Sequence, residues 1–294
     1  MDCGPDWTSA HILAALQKGP HFSAKSREAV EALRKETAEK VKNGFARVIK
    51  WKEIKKNIPE KLKLSPVAMI PHKSRMFRAI LDLSFRLRHN GHQLQSVNST
   101  TKEQAPRQSM SQLGKVLKRI VAQLADGAEN DTKFLFAKLD IKDGFWRLAV
   151  SNDDAWNFCY VLPTVQKPGN MDEVEIVVPK ALQMGWCESP PLFCASSETA
   201  RDVIQSMLGQ PTLTAHTFEN YMLTDRTETA SSSTPRNAAT MVEVYMDDYI
   251  GLTNDQSLPH LTKVSRAMLH GIQSIFPPPH ISQHNGEDSI SEKN

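Results

Sequence analysis

Cysteine is scarce in this chain, with four in 294 residues: Cys3, Cys159, Cys187 and Cys194. Their spacing shows neither metal-type pairs nor the even framework of a small secreted scaffold. That excludes a disulfide- or zinc-organised fold and makes reduced, intracellular thiols the expectation. No apolar run approaches the length of a membrane-spanning helix, so no membrane partner is expected. The first residues, Met1-Asp2-Cys3-Gly4-Pro5-Asp6, lack the basic-then-apolar design of a secretory signal. No internal repeat is present, which argues against a solenoid. His89 and His92 lie three apart, but no further ligands stand near them, which speaks against a metal site there.

What is present is ordinary in bulk and uneven in distribution. The chain is 40% apolar and 23% charged, typical of a globular protein, and long enough for one large domain or two smaller ones. Its net charge of +3 hides a polarity. Residues 42–125 hold 18 Lys and Arg against 4 acids, whereas residues 126–294 hold 12 bases against 23 acids. Such a division suits a protein that grips a polyanion with one part and binds cations with the other, although basic blocks are often plain solvated surface.

The most informative stretch is Val242-Glu243-Val244-Tyr245-Met246-Asp247-Asp248-Tyr249-Ile250-Gly251-Leu252. It predicts a β-hairpin with two carboxylates at the tip and apolar arms. Adjacent Asp residues repel one another, and a divalent cation is the usual counter-charge where both stay ionised; a solvated turn is the plainer alternative.

Along the chain, residues 1–22 read as a loose lead-in. A helix is predicted from Ser23 or Ser26 to Asn43-Gly44, with Val30, Leu33, Thr37 and Val41 on one face. Residues 45–51 suit an edge strand. Residues 64–70 and 76–83 suit a hairpin with a basic connector, His72-Lys73-Ser74-Arg75. Alternation sets Arg78, Ile80 and Asp82 on one of its faces and Phe77, Ala79 and Leu81 on the other.

Leu113, Val116, Leu117, Ile120, Val121 and Leu124 predict a core-packing helix whose wet side carries Lys115, Lys118 and Arg119. Residues 134–140 read as a buried strand closed by Asp140, and a carboxylate there is costly unless paired or metal-bound. Strands are expected over 157–162 and 174–178. A helix then opens with Ser189 as N-cap and Pro190 as its first residue. Residues 210–238 predict a mobile insertion, residues 257–276 a helix, and residues 277–294 a disordered tail.

Taken together, Leu139-Asp140-Ile141-Lys142-Asp143-Gly144-Phe145, Gly185-Trp186 with Ser189-Pro190 and Phe193, Tyr245-Met246-Asp247-Asp248, and Lys73, Arg78 and Asp82 resemble the ordered boxes of retroelement reverse transcriptases. The resemblance spans residues 45–275. It implies an α+β fold with right-hand polymerase fingers and palm, the palm an antiparallel sheet backed by helices 110–126, 189–208 and 258–276. On that scheme 1–22 is a flexible lead-in, 23–115 and 150–183 are fingers, and 116–149 and 184–276 are palm. No thumb falls within the chain. The thumb, connection and RNase H portions of a longer polyprotein are therefore expected beyond it, the chain being a fragment or a truncated relic.

The resemblance also implies roles. Asp140, Asp247 and Asp248 would be catalytic and would ligate two Mg²⁺ ions, with Mn²⁺ as the substitute. Lys73 and Arg78 would hold the incoming triphosphate. Phe145 would reject the ribose 2′-hydroxyl, and Asp143, Met184 and Gly185 would complete the nucleotide site. Trp186, Ser189, Pro190, Tyr245 and Met246 would face template and primer. Met184 departs from the family, many of whose members carry a Gln there, so that contact is lost or is made by Gln183. The implied reaction is RNA-directed DNA synthesis from dNTPs on a primed RNA or DNA template. An intracellular setting is implied: cytoplasm, a virus-like particle or the nucleus. The alternatives are an inactive nucleic-acid-binding relic and an RNA-dependent RNA polymerase. Phe145 speaks against the latter, because a ribonucleotide site would want a smaller or polar group.

Overall fold

The computed structural model describes residues 1–73, 76–89, 91–129, 133–165, 169–219, 239–277 and 290–291. In chain order its main elements are α1 (Ser9–Lys18), α2 (Arg27–Lys42), β1 (Ala46–Lys50), β2 (Val67–Pro71), β3 (Phe77–Leu81), β4 (Leu87–His89) and β5 (His92–Leu94). There follow α3 (Val116–Glu129), β6 (Leu135–Ile141), β7 (Tyr160–Val161), β8 (Glu175–Pro179) and α4 (Ser189–Leu208). The last are β9 (Thr240–Tyr245), β10 (Asp248–Thr253), α5 (Leu258–Ile275) and β11 (Ile290–Ser291). The fold is α+β with small antiparallel sheets. It divides into two compact units, one built chiefly from Met1–Gln104 and Phe145–Ser189, the other chiefly from Ala105–Gly144 and Pro190–Pro278. Among the described residues no helix is long and apolar enough to cross a membrane.

In the first unit the lead-in is not loose. Thr8 caps α1 by accepting from the His11 amide, and Ile12, Ala15 and Leu16 face inward at helical spacing. They join Trp7, Trp51, Leu62, Leu64, Ile176 and Val178 in one core. Lys63, 1% exposed, donates to the Cys3 carbonyl at 2.7 Å and pins the segment before the helix. Burial pushes the Lys63 ammonium below its ordinary range. The Gly, Pro and His residues around this segment disguise three turns of amphipathic helix.

Asp154 ties the same region down, accepting from Lys61 at 2.8 Å, from the Met1 ammonium at 2.9 Å and from Ser151 at 2.8 Å. Burial alone would raise its carboxyl, but these donors outweigh it and lower the group to about 2. Its folded value lies below the ordinary carboxylate value of about 3.9. Its contribution is therefore full above that pH and is lost as pH falls toward the folded value. Asp154→Asn is expected to cost about 2 kcal/mol at pH 7, with the gap to wild type closing near pH 2 in urea titrations across pH. A gap that stays constant with pH would assign the cost to packing instead.

Ser26 caps α2 by accepting from the Ala29 amide, and Val30, Leu33 and Thr37 are buried. Val41 is 41% exposed; Lys40 takes the inner position, its ammonium 5.2 Å from the Trp146 ring. β1 is an edge strand of a sheet ordered β1-β8-β7, as expected. The strand expected over 157–162 shrinks to β7, because a 3₁₀ turn occupies Asp154–Phe158. β2 and β3 pair as the expected hairpin, with Ile70 opposite Arg78 and Val67 opposite Leu81. Residues 74–75 of its basic connector lie outside the described residues.

The second unit is organised by a sheet ordered β11-β6-β10-β9. Val242 and Val244 of β9 and Tyr249 of β10 are buried, following the alternation of the strands. The Tyr249 hydroxyl donates to the Ser197 carbonyl of α4 at 3.0 Å. Gly271 lets α5 cross α4 closely, since a Cβ there would lie 2.3 Å from Ile204 Cγ1. Phe193 and Phe276 pack at 5.3 Å between ring centres.

Two expectations change here. β6 is not wholly buried: Leu139 and Ile141 are covered, whereas Phe136 is 46% exposed and Lys138 is open to solvent. One face of the sheet is thus open at β6. In α3, Val116 and Ile120 are buried, but Leu117 and Val121 are 71% and 53% exposed. Arg119, assigned to the wet side, instead reaches Glu243 of β9, which is 5% exposed.

The start of the segment expected to be mobile is fastened. Arg266 of α5 grips Glu219 through Nε at 2.6 Å and Nη2 at 2.9 Å, and His216 bonds Gln273 at 3.0 Å. Residues 220–238 lie outside the described residues, as does most of the tail expected to be disordered. Within that tail, Ile290 and Ser291 pair with Ile141 and Asp140 along the edge of β6.

Candidate functional site

Asp140 sits one residue before the end of β6, and Asp248 opens β10. The antiparallel register sets them directly opposite one another, and therefore on the same face of the sheet. Asp247 occupies the turn between β9 and β10, where its carbonyl accepts from the Ile141 amide at 3.1 Å and stitches the turn to β6. One ligand oxygen from each of Asp140, Asp247 and Asp248 falls within 4.8 Å of the others. Gly144 lies beside the cluster: a Cβ there would crowd the Phe193 ring at 3.0 Å but meet Asp247 Cβ at an ordinary 3.7 Å.

Three carboxylates at this spacing repel one another and call for a positive partner. Part of it comes from the chain, as Lys138 Nζ lies 2.9 Å from Asp248 Oδ2. The other oxygen of that carboxylate, Oδ1, is buried and has no hydrogen-bond partner among the described residues. A buried, orphaned carboxylate oxygen beside two further carboxylates fits a hard divalent cation that takes oxygen ligands. The cluster could hold a metal ion.

The backbone around the cluster is strained. Among the described residues, Asp143 and Met246 alone of the non-glycines have positive φ, at 60° and 58°. Each conformation costs on the order of 1 kcal/mol or more and persists only where the surroundings impose it. Met246 is held by the buried thiol of Cys194 on α4, 3.2 Å from its sulfur. Burial raises that thiol to about 11. Tyr245, beside it, is 53% exposed. Pro190, at the start of α4, is half-buried.

The remaining residues singled out by sequence belong to the first unit. Lys73 and Arg78 are exposed, and Arg78 Nη2 donates to the Met184 sulfur at 2.8 Å. Met184 is 50% exposed, whereas Gln183 is buried with its amide spent on the Ala181 and Leu182 carbonyls. Phe145 is half-buried in a short 3₁₀ turn.

Trp186 and Ser189 do not present a surface. Trp186 is 1% exposed, donates to Thr101 Oγ1 at 3.0 Å and packs 5.2 Å from Phe158. Ser189 is fully buried and is the first residue of α4, not an accepting cap; its hydroxyl donates to the Gln183 carbonyl at 2.8 Å. Both hold the turn's shape. Asn98, which sequence reading passed over, clamps the turn from outside. Its Nδ2 donates to the Gly185 carbonyl at 2.8 Å, and its Oδ1 accepts from the Cys187 amide at 3.0 Å.

Gly185 itself has φ 115°, and a Cβ would stand 2.8 Å from the Leu81 carbonyl oxygen. Gly185→Ala is expected to cost about 2 kcal/mol in urea denaturation, because both the backbone angle and a fixed carbonyl oppose it. A change below a few tenths of a kcal/mol would show that the turn can relax. No protein-family model matches this chain, and no curated protein matches it either.

Proposed function

We propose that the chain is the fingers and palm of a reverse transcriptase, the second unit being the palm and the first the fingers. The observation that carries this reading is the cluster of Asp140, Asp247 and Asp248, brought within 4.8 Å by two neighbouring strands and a turn, with Asp248 Oδ1 left orphaned. The ordered sequence boxes and the basic character of residues 42–125 support it.

On this reading Asp140 and Asp247 bind the cations and Asp248 adds charge beside them. A pair of Mg²⁺ ions, replaceable by Mn²⁺, would supply activation of the primer 3′-hydroxyl and stabilisation of the leaving pyrophosphate. The exposed guanidinium of Arg78 offers its fork to phosphate oxygens of the incoming dNTP, and Lys73 adds a second cation. Arg78 must leave the Met184 sulfur to do so, a weak acceptor that costs little to give up. Phe145 supplies bulk against a ribose 2′-hydroxyl. Met184 and Gly185 line the nucleotide site, and Tyr245 meets the primer end. Trp186 and Ser189 serve by shaping the turn, not by touching template.

Primer extension tests the reading: a DNA primer on an RNA template, with dNTPs, in Mg²⁺ and then in Mn²⁺. Extension that disappears in the Asp140→Asn/Asp247→Asn double variant is the expected result. A folded chain that binds primer–template and extends it under neither cation would overturn it.

A further inference from the structure

Lys138 lies two residues before Asp140 on β6, so both side chains rise from the same face of the sheet. Its cross-strand partner is Ile250, and Asp248 stands two residues before that, opposite Asp140. The ammonium crosses diagonally to Asp248 Oδ2 at 2.9 Å. By exposure alone, 54% for the Lys side chain and 27% for the Asp, this would be an ion pair of small consequence. Its position changes its meaning. Asp248 belongs to a cluster of three carboxylates that gains from any nearby positive charge. Lys138 occupies one oxygen of Asp248 while the other stays buried without a hydrogen-bond partner among the described residues. A divalent cation entering the cluster meets that ammonium as a like charge and competes with it for Asp248.

We propose that Lys138 is the resident counter-cation of the carboxylate cluster, competing with divalent cations for Asp248 and so setting the concentration to which the site responds. It acts through Asp248 and is a positioning residue. The inference rests on the cluster being a cation site, as in the proposed function.

The test is Mn²⁺ binding to the full chain, without nucleic acid or nucleotide, followed by electron paramagnetic resonance. Lys138→Met keeps the aliphatic stem and removes the charge; Lys138→Arg keeps the charge. Lys138→Met is expected to bind Mn²⁺ about tenfold more tightly, and Lys138→Arg within about twofold of wild type. A structural role alone would give equal Mn²⁺ affinities, whatever happens to the melting temperature. Equal or weaker binding by Lys138→Met overturns the inference, as does an absence of binding in both proteins. The Asp140→Asn/Asp247→Asn variant separates this from the underlying reading. If it binds Mn²⁺ as wild type does, the cluster is not the cation site and the proposed function falls with the inference. If it loses binding while Lys138→Met matches wild type, only the role of Lys138 is lost.

Discussion

Asp140→Asn is expected to lower single-nucleotide incorporation by about three orders of magnitude while leaving the folded state as stable as wild type or more so. The two effects have one cause. Asp140 is 7% exposed and faces Asp248 across the strand pair, within a cluster that also holds Asp247. Asn preserves size and shape and removes one of three mutually repelling charges, which relieves the folded protein. The same loss takes away a cation ligand. A residue kept for stability would show the reverse, a drop in both quantities together. Incorporation kinetics and thermal melting on the same preparations separate the cases. Activity within threefold of wild type would remove Asp140 from the chemistry. Asp247→Asn is expected to behave alike, since its carbonyl bond to the Ile141 amide survives the substitution.

Arg119→Ala is expected to destabilise the second unit by about 3 kcal/mol, read from the urea midpoint. Arg119 meets Glu243 with a two-pronged pair, Nε to Oε1 at 2.6 Å and Nη2 to Oε2. Glu243 is 5% exposed on the edge strand of the sheet that carries the cluster. Removing the guanidinium strands a buried carboxylate whose next cation, Arg201, lies 3.8 Å away and already pairs with Glu198 at 3.0 Å. Glu198 shows the price of such burial, its carboxyl raised above the ordinary range mainly by loss of water. The double variant Arg119→Ala/Glu243→Leu should recover much of the loss, because no charge is then left buried. A loss below about 0.5 kcal/mol in Arg119→Ala would mean that Arg201 or water takes over the pair.

Local pattern announced several elements and all three of the site's carboxylates, Asp140 as the acid closing an apolar strand. Ser26 and the spacing of Val30, Leu33 and Thr37 mark α2. The alternation through Val242, Val244 and Tyr249 marks the hairpin, and the Asp247-Asp248 pair marks its tip. These signals are local, since each depends on residues a few positions apart whose geometry the backbone period sets. The same reasoning misplaced Arg119, because a helical stripe says which residues share a face and not which face is covered. Leu117 and Val121 have the right spacing for a core yet remain exposed. Residues 1–22 failed for the opposite reason: Gly, Pro and His around a short helix mask its apolar face, which counts only because Trp51, Leu62 and Ile176 come to meet it.

The residue types at the tip, the apolar run that leads into Asp140 and the order of the boxes were all present in the chain before it folded. The meeting of Asp140 with Asp248 was decided by pairing between strands more than a hundred residues apart. The diagonal reach of Lys138 follows from the same pairing, whereas the burial of Trp186 beside Thr101 and Phe158, the burial of Ser189 and the left-handed turn at Met246 braced by Cys194 were decided by other tertiary contacts. Burial and electrostatic pairing are properties of what comes to lie alongside a residue, and register between distant strands is set by the whole packed core.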